Sequence, residues 1–322
     1  MAEKPRVGLY WCASCGGCEE AVVDLARDIL KVVEAVDIIF WPVAMDFKKS
    51  DVEAMADNSI AVSFINGAVR TEEQKEMVEL LRRKSGLIVA FGSCAHLGGI
   101  PGLANFWNRE KIFERVYHTT PTTVNPDKIT PQLETRVDKY ELTLPQFFDT
   151  VCALDQVVDV DYYLPGCAPP PDLIMDAVTA ILKGELPPRG SVLAPDKALC
   201  DTCPRKDSKP DKMKISEIKR VHQVKIDPEK CFLAEGIICL GPATRSGCGE
   251  RCINANMPCR GCFGPTRPVI DQGAKFLSGL ASILEAETIE EEEKLASSVI
   301  DPAGLFYMYS LPSSILRRRR MK

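Results

Sequence analysis

Apolar and polar positions change their rhythm midway along this chain of 322 residues. Up to about position 185, short apolar runs alternate with amphipathic stretches. Residues 6–11, 36–43, 59–69, 87–92 and 157–164 read as strands. The fourth is a near-continuous apolar run, as expected for a parallel strand covered on both faces. Residues 19–36 predict a helix with Val22, Leu25, Ala26, Ile29, Val32 and Val33 on one face. Thr71 opens a second helix that runs through 83, with Gln74 placed as its capping-box partner. Pro169, Pro170 and Pro171 lead into a third over 172–183, which Gly184 stops. This alternation predicts a doubly wound parallel α/β sheet of the flavodoxin-like type.

From residue 186 the alternation ends. Residues 186–265 are rich in cysteine, with apolar periodicity confined to 212–224, while 270–284 and 289–298 predict helices. Such a segment is not expected to build a large apolar core, so bound metal is expected to supply its folding energy. The chain therefore divides into an α/β domain, 1–185, and a cysteine-rich domain of little regular structure, 186–322. Residues 117–141 are polar and predict a long excursion over the sheet. No internal repeat is present.

Composition changes this picture little: 45% hydrophobic and 26% charged residues describe an ordinary globular chain. A formal net charge of −5 argues against a nucleic-acid binder. The local exception is Arg317-Arg318-Arg319-Arg320-Met321-Lys322. The apolar, aromatic segment 305–311 before it is expected to dock on a partner subunit, with the arginines paired to acidic groups there. No run approaches the ~18 apolar residues that span a bilayer. The N-terminus shows neither a signal peptide nor a twin-arginine signal, so the expected location is the cytoplasm, away from membranes.

In that reducing compartment fourteen cysteines are expected to be metal ligands rather than disulfides. Only His96, His118 and His222 offer imidazole, so large metal sites must be thiolate-based, holding zinc or iron–sulfur clusters. Cys15-Gly16-Gly17-Cys18-Glu19-Glu20 follows the first strand and opens a helix. Gly92-Ser93-Cys94-Ala95 follows another strand, and Pro165-Gly166-Cys167-Ala168 a third. Ligands of an open parallel sheet gather outside the carboxyl ends of its strands, so Cys15, Cys18, Cys94 and Cys167 are expected to converge there. Glycines permit close backbone approach, and amides at a helix start can donate to an anionic cluster. The plainer reading is buried structural cysteines. Further on, Cys200 pairs with Cys203 and Cys259 with Cys262 as C-x-x-C, with Cys231, Cys239, Cys248 and Cys252 between them. Eight thiolates fit two four-cysteine sites. Taken alone these suit zinc as well as iron–sulfur; the scattered four-thiolate set of the first half favours clusters.

Together these motifs resemble the small subunit of nickel–iron hydrogenases over nearly the whole chain. The matching residues are Cys15-x-Gly17-Cys18-x-Glu20, Gly92-Ser93-Cys94-Ala95 with Gly98-Gly99, and Pro165-Gly166-Cys167-x-Pro169. Cys239-x-Gly241-Pro242 and Pro258-Cys259-x-Gly261-Cys262 also match. The chain is most similar to the cytoplasmic methyl-viologen-reducing type, which in methanogens works with heterodisulfide reductase. The resemblance implies an electron-transfer subunit of an enzyme that oxidises dihydrogen, with no active site in this chain alone. Its implied partners are a large subunit carrying the nickel–iron site, a further iron–sulfur subunit and heterodisulfide reductase. It also implies Cys15, Cys18, Cys94 and Cys167 as ligands of a proximal cluster. Cys248, Cys259 and Cys262 match medial ligands, and Cys203, Cys231 and Cys239 distal ones.

Two departures from periplasmic members bear on cluster type. Cys200 stands where their distal cluster has a histidine, and Cys252 is available as a fourth medial ligand. Three [4Fe–4S] clusters are therefore expected, the distal one lowered in potential by the extra thiolate charge. Glu20 matches an acidic position of the family motif and is the candidate interface residue, although an acid in the first helical turn also complements the dipole. His96 is expected to be a hydrogen-bonding neighbour of the cluster rather than a ligand. Cys152 reads as a core residue. Cys12 forms a competing C-x-x-C with Cys15, and the resemblance favours Cys18. Alternatives are the small subunit of a deazaflavin-coenzyme-reducing hydrogenase and, in another class, a zinc-stabilised interaction module. A quinone-reductase subunit would lack the eight later cysteines.

Overall fold

The computed structural model describes residues 4–317. Its strands are β1 (Arg6–Trp11), β2 (Asp37–Phe40), β3 (Ile60–Asn66), β4 (Val69–Thr71), β5 (Ser85–Phe91), β6 (Glu134–Val137), β7 (Tyr140–Thr143), β8 (Phe147–Cys152), β9 (Tyr162–Leu164) and β10 (Ser191–Val192). Six of them form one sheet in the order β10-β9-β5-β3-β1-β2, with every pair parallel. Read from β2 through β1, β3, β5 and β9, this is the flavodoxin-like order, with β10 added at the edge. Ile88, Val89, Ala90 and Phe91 of β5 are buried whichever face they point to. Helices on both sides are the reason. Pro171–Lys183 covers Leu9, Phe64, Val89 and Leu164, and Glu72–Lys84 covers Ile60, Ile65, Ile88 and Ala90. Thr71 caps the latter reciprocally: Gln74 N–H donates to Thr71 Oγ1 at 3.3 Å, and Thr71 N–H to Gln74 Oε1 at 3.1 Å.

Several elements differ from the periodicity. The 19–36 helix is two, Gly17–Val23 and Asp28–Ala35, broken where Ala26 adopts φ 52°. One straight helix over that span would be about 28 Å long, whereas the six-residue strand beneath it spans about 20 Å. The break keeps both halves on the sheet. The 157–164 run narrows to β9 because Leu154–Gln156 forms a 3₁₀ turn and Asp161 takes a polar role. Its carboxylate accepts from Ile88 N–H at 2.8 Å and pairs with Arg82 at 2.6 Å and Arg189 at 2.9 Å. The 59–69 run stops at Gly67, whose φ of +89° turns the chain into β4, antiparallel to β8.

Residues 117–141 do not lie over the sheet. They belong to an exposed arm carrying the β6–β7 hairpin. Its register pairs Val137 with Tyr140 and Thr135 with Leu142, so alternation collects Leu133, Val137, Tyr140, Leu142 and Leu144 on one face. All of these are exposed.

The cysteine-rich half also departs from expectation, because it does build an apolar core. Phe232, Leu233, Ile237, Leu240 and Ile253 pack there with Phe276, Leu280, Phe306 and Leu311 from the helices and tail. Cys239 and Cys259 are themselves members of that core. Residues 212–224 form no helix and instead contribute the isolated bridges Ile215–Leu284 and Lys219–Ile237. The predicted C-terminal helices are present as Gln272–Ala281 and Ile289–Ser297.

The segment 305–311, expected to dock on a partner, packs on this chain instead. Leu311 is fully buried and Phe306 and Tyr307 nearly so. Pro312 lies so close over Gly98 and Gly102 that a Cβ at either would come within 2.1 and 2.4 Å of it. Apolar side chains find a surface in their own fold because the turn after β5 is stripped of side chains. Arg318 to Lys322 lie outside the described residues. No helix among the described residues is long and apolar enough to cross a membrane.

Candidate functional site

Three strand ends and one helix start build the first thiol group. Cys15 and Cys18 follow β1, Cys94 follows β5, and Cys167 follows β9. Parallel pairing puts all three ends on the same edge of the sheet. There Cys18 lies within electrostatic reach of Cys94, Cys167 and Cys15. Burial first, then Cys167 and Cys15, push the Cys94 thiol up to about 12. Burial likewise raises Cys18 and Cys167. Thiols crowded in this way could be held together as thiolates by a cationic metal centre, which would offset their charge. Two glycines show how tightly the sulfurs are enclosed. A Cβ on Gly92, at φ +84°, would sit 2.4 Å from Cys18 Sγ, and one on Gly99, at φ +57°, 2.4 Å from Cys94 Sγ. Gly17 N–H donates to Cys15 Sγ at 3.5 Å, and Ile100 N–H donates to Cys94. Cys15 and Cys167 remain exposed on the outer side.

The eight later cysteines fall into two further groups. Cys200 has Cys239, Cys231 and Cys203 as its charged neighbours, and burial pushes it up to about 12. Cys239, pushed by burial to about 11, accepts hydrogen bonds from Gly241 and Cys259 N–H. Cys262 faces Cys248 and Cys252, and Cys259 neighbours Cys262. Adjacent groups touch through the cysteines themselves. Cys167 N–H donates to the Cys262 sulfur, and Cys259 N–H donates to Cys239 Sγ at 3.3 Å. Ser93 Oγ reinforces the first junction, donating to the Cys262 carbonyl at 2.5 Å. Among the described residues no three His, Cys, Asp or Glu side chains gather as the ligands of a single ion do. All-thiolate groups with amide donors on their sulfurs and glycines against them fit iron–sulfur clusters.

Cys12 stands apart. It is buried against Phe40 and Val52, and burial alone raises its thiol. Cys152 packs at the edge of the same cluster. Glu20 is exposed in the first turn of Gly17–Val23, whereas its neighbour Glu19 is buried. The Glu19 carboxylate accepts from Trp41 Nε1 and, at 2.5 Å, from Asn66 Nδ2. Burial raises its pKa, and those two donors oppose the shift. Sequence reasoning missed this residue; Trp41 and Asn66, donors at the ends of β2 and β3, were the available signal. It also missed Arg205, buried over the Phe232 ring at 4.1 Å. Arg205 donates to the carbonyls of Asp227 and Lys230 and so holds the loop carrying Cys231. His96 does not hydrogen-bond through Nδ1, which is buried without a partner among the described residues, and its ring packs on Tyr163 at 4.8 Å. Burial first, then the nearby Arg245 charge, lowers its pKa to about 3.

Comparison with known proteins decides the family. The model of the NADH ubiquinone oxidoreductase 20 kDa subunit family matches residues 15–181, the half that holds the first thiol group. The iron–sulfur subunit of an F420-non-reducing hydrogenase from Archaeoglobus profundus is 41% identical over 311 residues, 96% of each chain. The chain belongs to the F420-non-reducing hydrogenase small-subunit family. A member of that family from Methanothermobacter thermautotrophicus is 36% identical, covering 100% of this chain and 99% of its own. The family is an electron-transfer component of hydrogenase, so the chain is part of an oxidoreductase. By name, both relatives belong to hydrogenases that do not reduce F420. A chain of the [NiFeSe] hydrogenase from Desulfovibrio vulgaris Hildenborough shares the fold, with a TM-score of 0.52 at 19% identity over 83% of this chain and 96% of that one.

Proposed function

We propose that this subunit relays electrons through three [4Fe–4S] clusters, from dihydrogen oxidation in a large subunit carrying a nickel–iron site to a cytoplasmic acceptor complex. Cys15, Cys18, Cys94 and Cys167 hold the proximal cluster. Cys248, Cys252, Cys259 and Cys262 hold the medial one, and Cys200, Cys203, Cys231 and Cys239 the distal one. The observation that carries this reading is the pair of junctions, Cys167 N–H to Cys262 and Cys259 N–H to Cys239 Sγ, which connect the three groups in series. When bound, the clusters supply one-electron redox chemistry. The chain's own residues fix the order of the relay, shield the inner sulfurs from water and stabilise thiolate charge through backbone donors.

The large subunit docks on the edge that leaves Cys15 and Cys167 exposed, beside Glu20. The apolar hairpin face supports this. A lone two-stranded hairpin is marginal in water, and its base is tied toward that edge by Glu72 N–H to the Gln146 carbonyl at 2.9 Å and by β4–β8 pairing. The division at 185/186 into α/β and cluster domains belongs to the same proposal, as do a further iron–sulfur subunit and heterodisulfide reductase as partners.

The test is metal content of anaerobically purified protein. About twelve iron and twelve sulfide per chain are expected from three four-iron clusters. Stoichiometric zinc with about four iron would overturn the assignment of the eight later cysteines.

A further inference from the structure

The C-terminal segment that packs across residues 98–102 carries a side chain into the gap between the first two thiol groups. Gly99 N–H donates to the Tyr309 carbonyl at 3.0 Å, and Gln156 Nε2 donates to that of Pro312 at 2.7 Å. Ile315 N–H donates to Asp271 Oδ2 at 3.0 Å. The segment around Tyr309 is thus held at its backbone by groups from both halves of the chain. Its hydroxyl donates a hydrogen bond to the Cys167 sulfur and also lies within electrostatic reach of Cys262 and Cys252.

Resting on the cluster assignment above, we propose that Tyr309 sets the reduction potential of the proximal cluster through its hydrogen bond to Cys167. Reduction by an external one-electron donor adds one negative charge to the cluster and its thiolates. No bond forms or breaks, and the phenol proton stays on Tyr309. A donor on a ligand sulfur stabilises the more negative state, so the hydroxyl makes the cluster easier to reduce. The donors to the Cys15 and Cys94 sulfurs are the backbone amides of Gly17 and Ile100, which every side-chain variant retains. Tyr309 is therefore the point at which the tail, rather than the motif cysteines, tunes the relay.

The test is a redox titration of the whole complex, followed by electron paramagnetic resonance, with iron counted in each sample. Tyr309→Phe should shift the proximal reduction equilibrium about tenfold toward the oxidised form, about 59 mV for a one-electron couple. Distal signals and iron content should not change, and the medial midpoint should move less than the proximal one. Site-specific 3-fluorotyrosine at 309 keeps the ring, strengthens the donor and should shift the equilibrium the other way. If Tyr309→Phe loses iron, the fluorinated form alone decides. Unmoved proximal midpoints in the iron-replete variants overturn the proposal. A wild-type complex with no reducible cluster signal at this site overturns the proximal assignment instead.

Discussion

Replacing Gly92 by alanine should damage the first thiol group far more than the same change at a glycine of similar backbone conformation. Gly92 has φ +84° and Gly184 φ +69°, so an alanine pays a left-handed cost of about 1–2 kcal/mol at either position. At Gly184 nothing lies within 4 Å of the new methyl. At Gly92 the methyl would sit 2.4 Å from Cys18 Sγ and 3.4 Å from the Gly166 carbonyl. Carbon and sulfur need well over 3.5 Å, so the sulfur must withdraw by about 1 Å or more. Overpacking of this kind adds about 1–3 kcal/mol, and metal–ligand distances tolerate only about 0.2 Å. Gly184→Ala should therefore keep its iron and lose a few degrees of thermal stability, at about 2–4 °C per kcal/mol. Gly92→Ala should melt lower still and lose about four iron per chain, the content of one cluster. The assay is anaerobic thermal unfolding by circular dichroism with iron determination on both variants. Equal melting temperatures and full iron in both would show that Gly92 does not limit the position of Cys18.

Deleting 305–322 should cost the chain its fold and iron, since burial of Phe306, Tyr307 and Leu311 is worth about 5–9 kcal/mol together; a truncated chain with full iron would refute this. His96 is held near pKa 3 when folded, so below about pH 6.5 the unfolded chain binds a proton that the folded chain refuses. Stability is thus complete at neutral pH and falls on acidification, by at most about 1.4 kcal/mol per pH unit. Denaturant midpoints between pH 7 and 5.5 should show this slope in the wild type and a flatter one in His96→Gln. Cys18→Ser, assembled with the large subunit, should abolish electron delivery to an external dye while the nickel–iron centre stays assembled. Undiminished dye reduction would remove Cys18 from the proximal set.

Much of the fold is written in local pattern. Strand–helix alternation, the Thr71–Gln74 cap and the Gly184 stop need only nearest neighbours along the chain, and β5 is apolar throughout because both its faces are covered. Parallel topology then carries the cysteines after β1, β5 and β9 to one edge whatever their distance in sequence. What sequence alone could not decide depends on partners distant along the chain. The pattern over 19–36 is amphipathic throughout, and the shorter length of the strand beneath accounts for its break at Ala26. Whether Glu19 or Glu20 turns inward depended on Trp41 and Asn66 arriving beside that helix. The apolar tail could as well have met a partner; the side-chain-free surface at Gly98 and Gly102, some two hundred positions away, received it instead. Aperiodic apolar residues hid the core of the cysteine-rich half, because irregular backbone gives burial no repeat to read. Local rhythm specifies elements and their faces; which face meets which neighbour is a property of the closed chain.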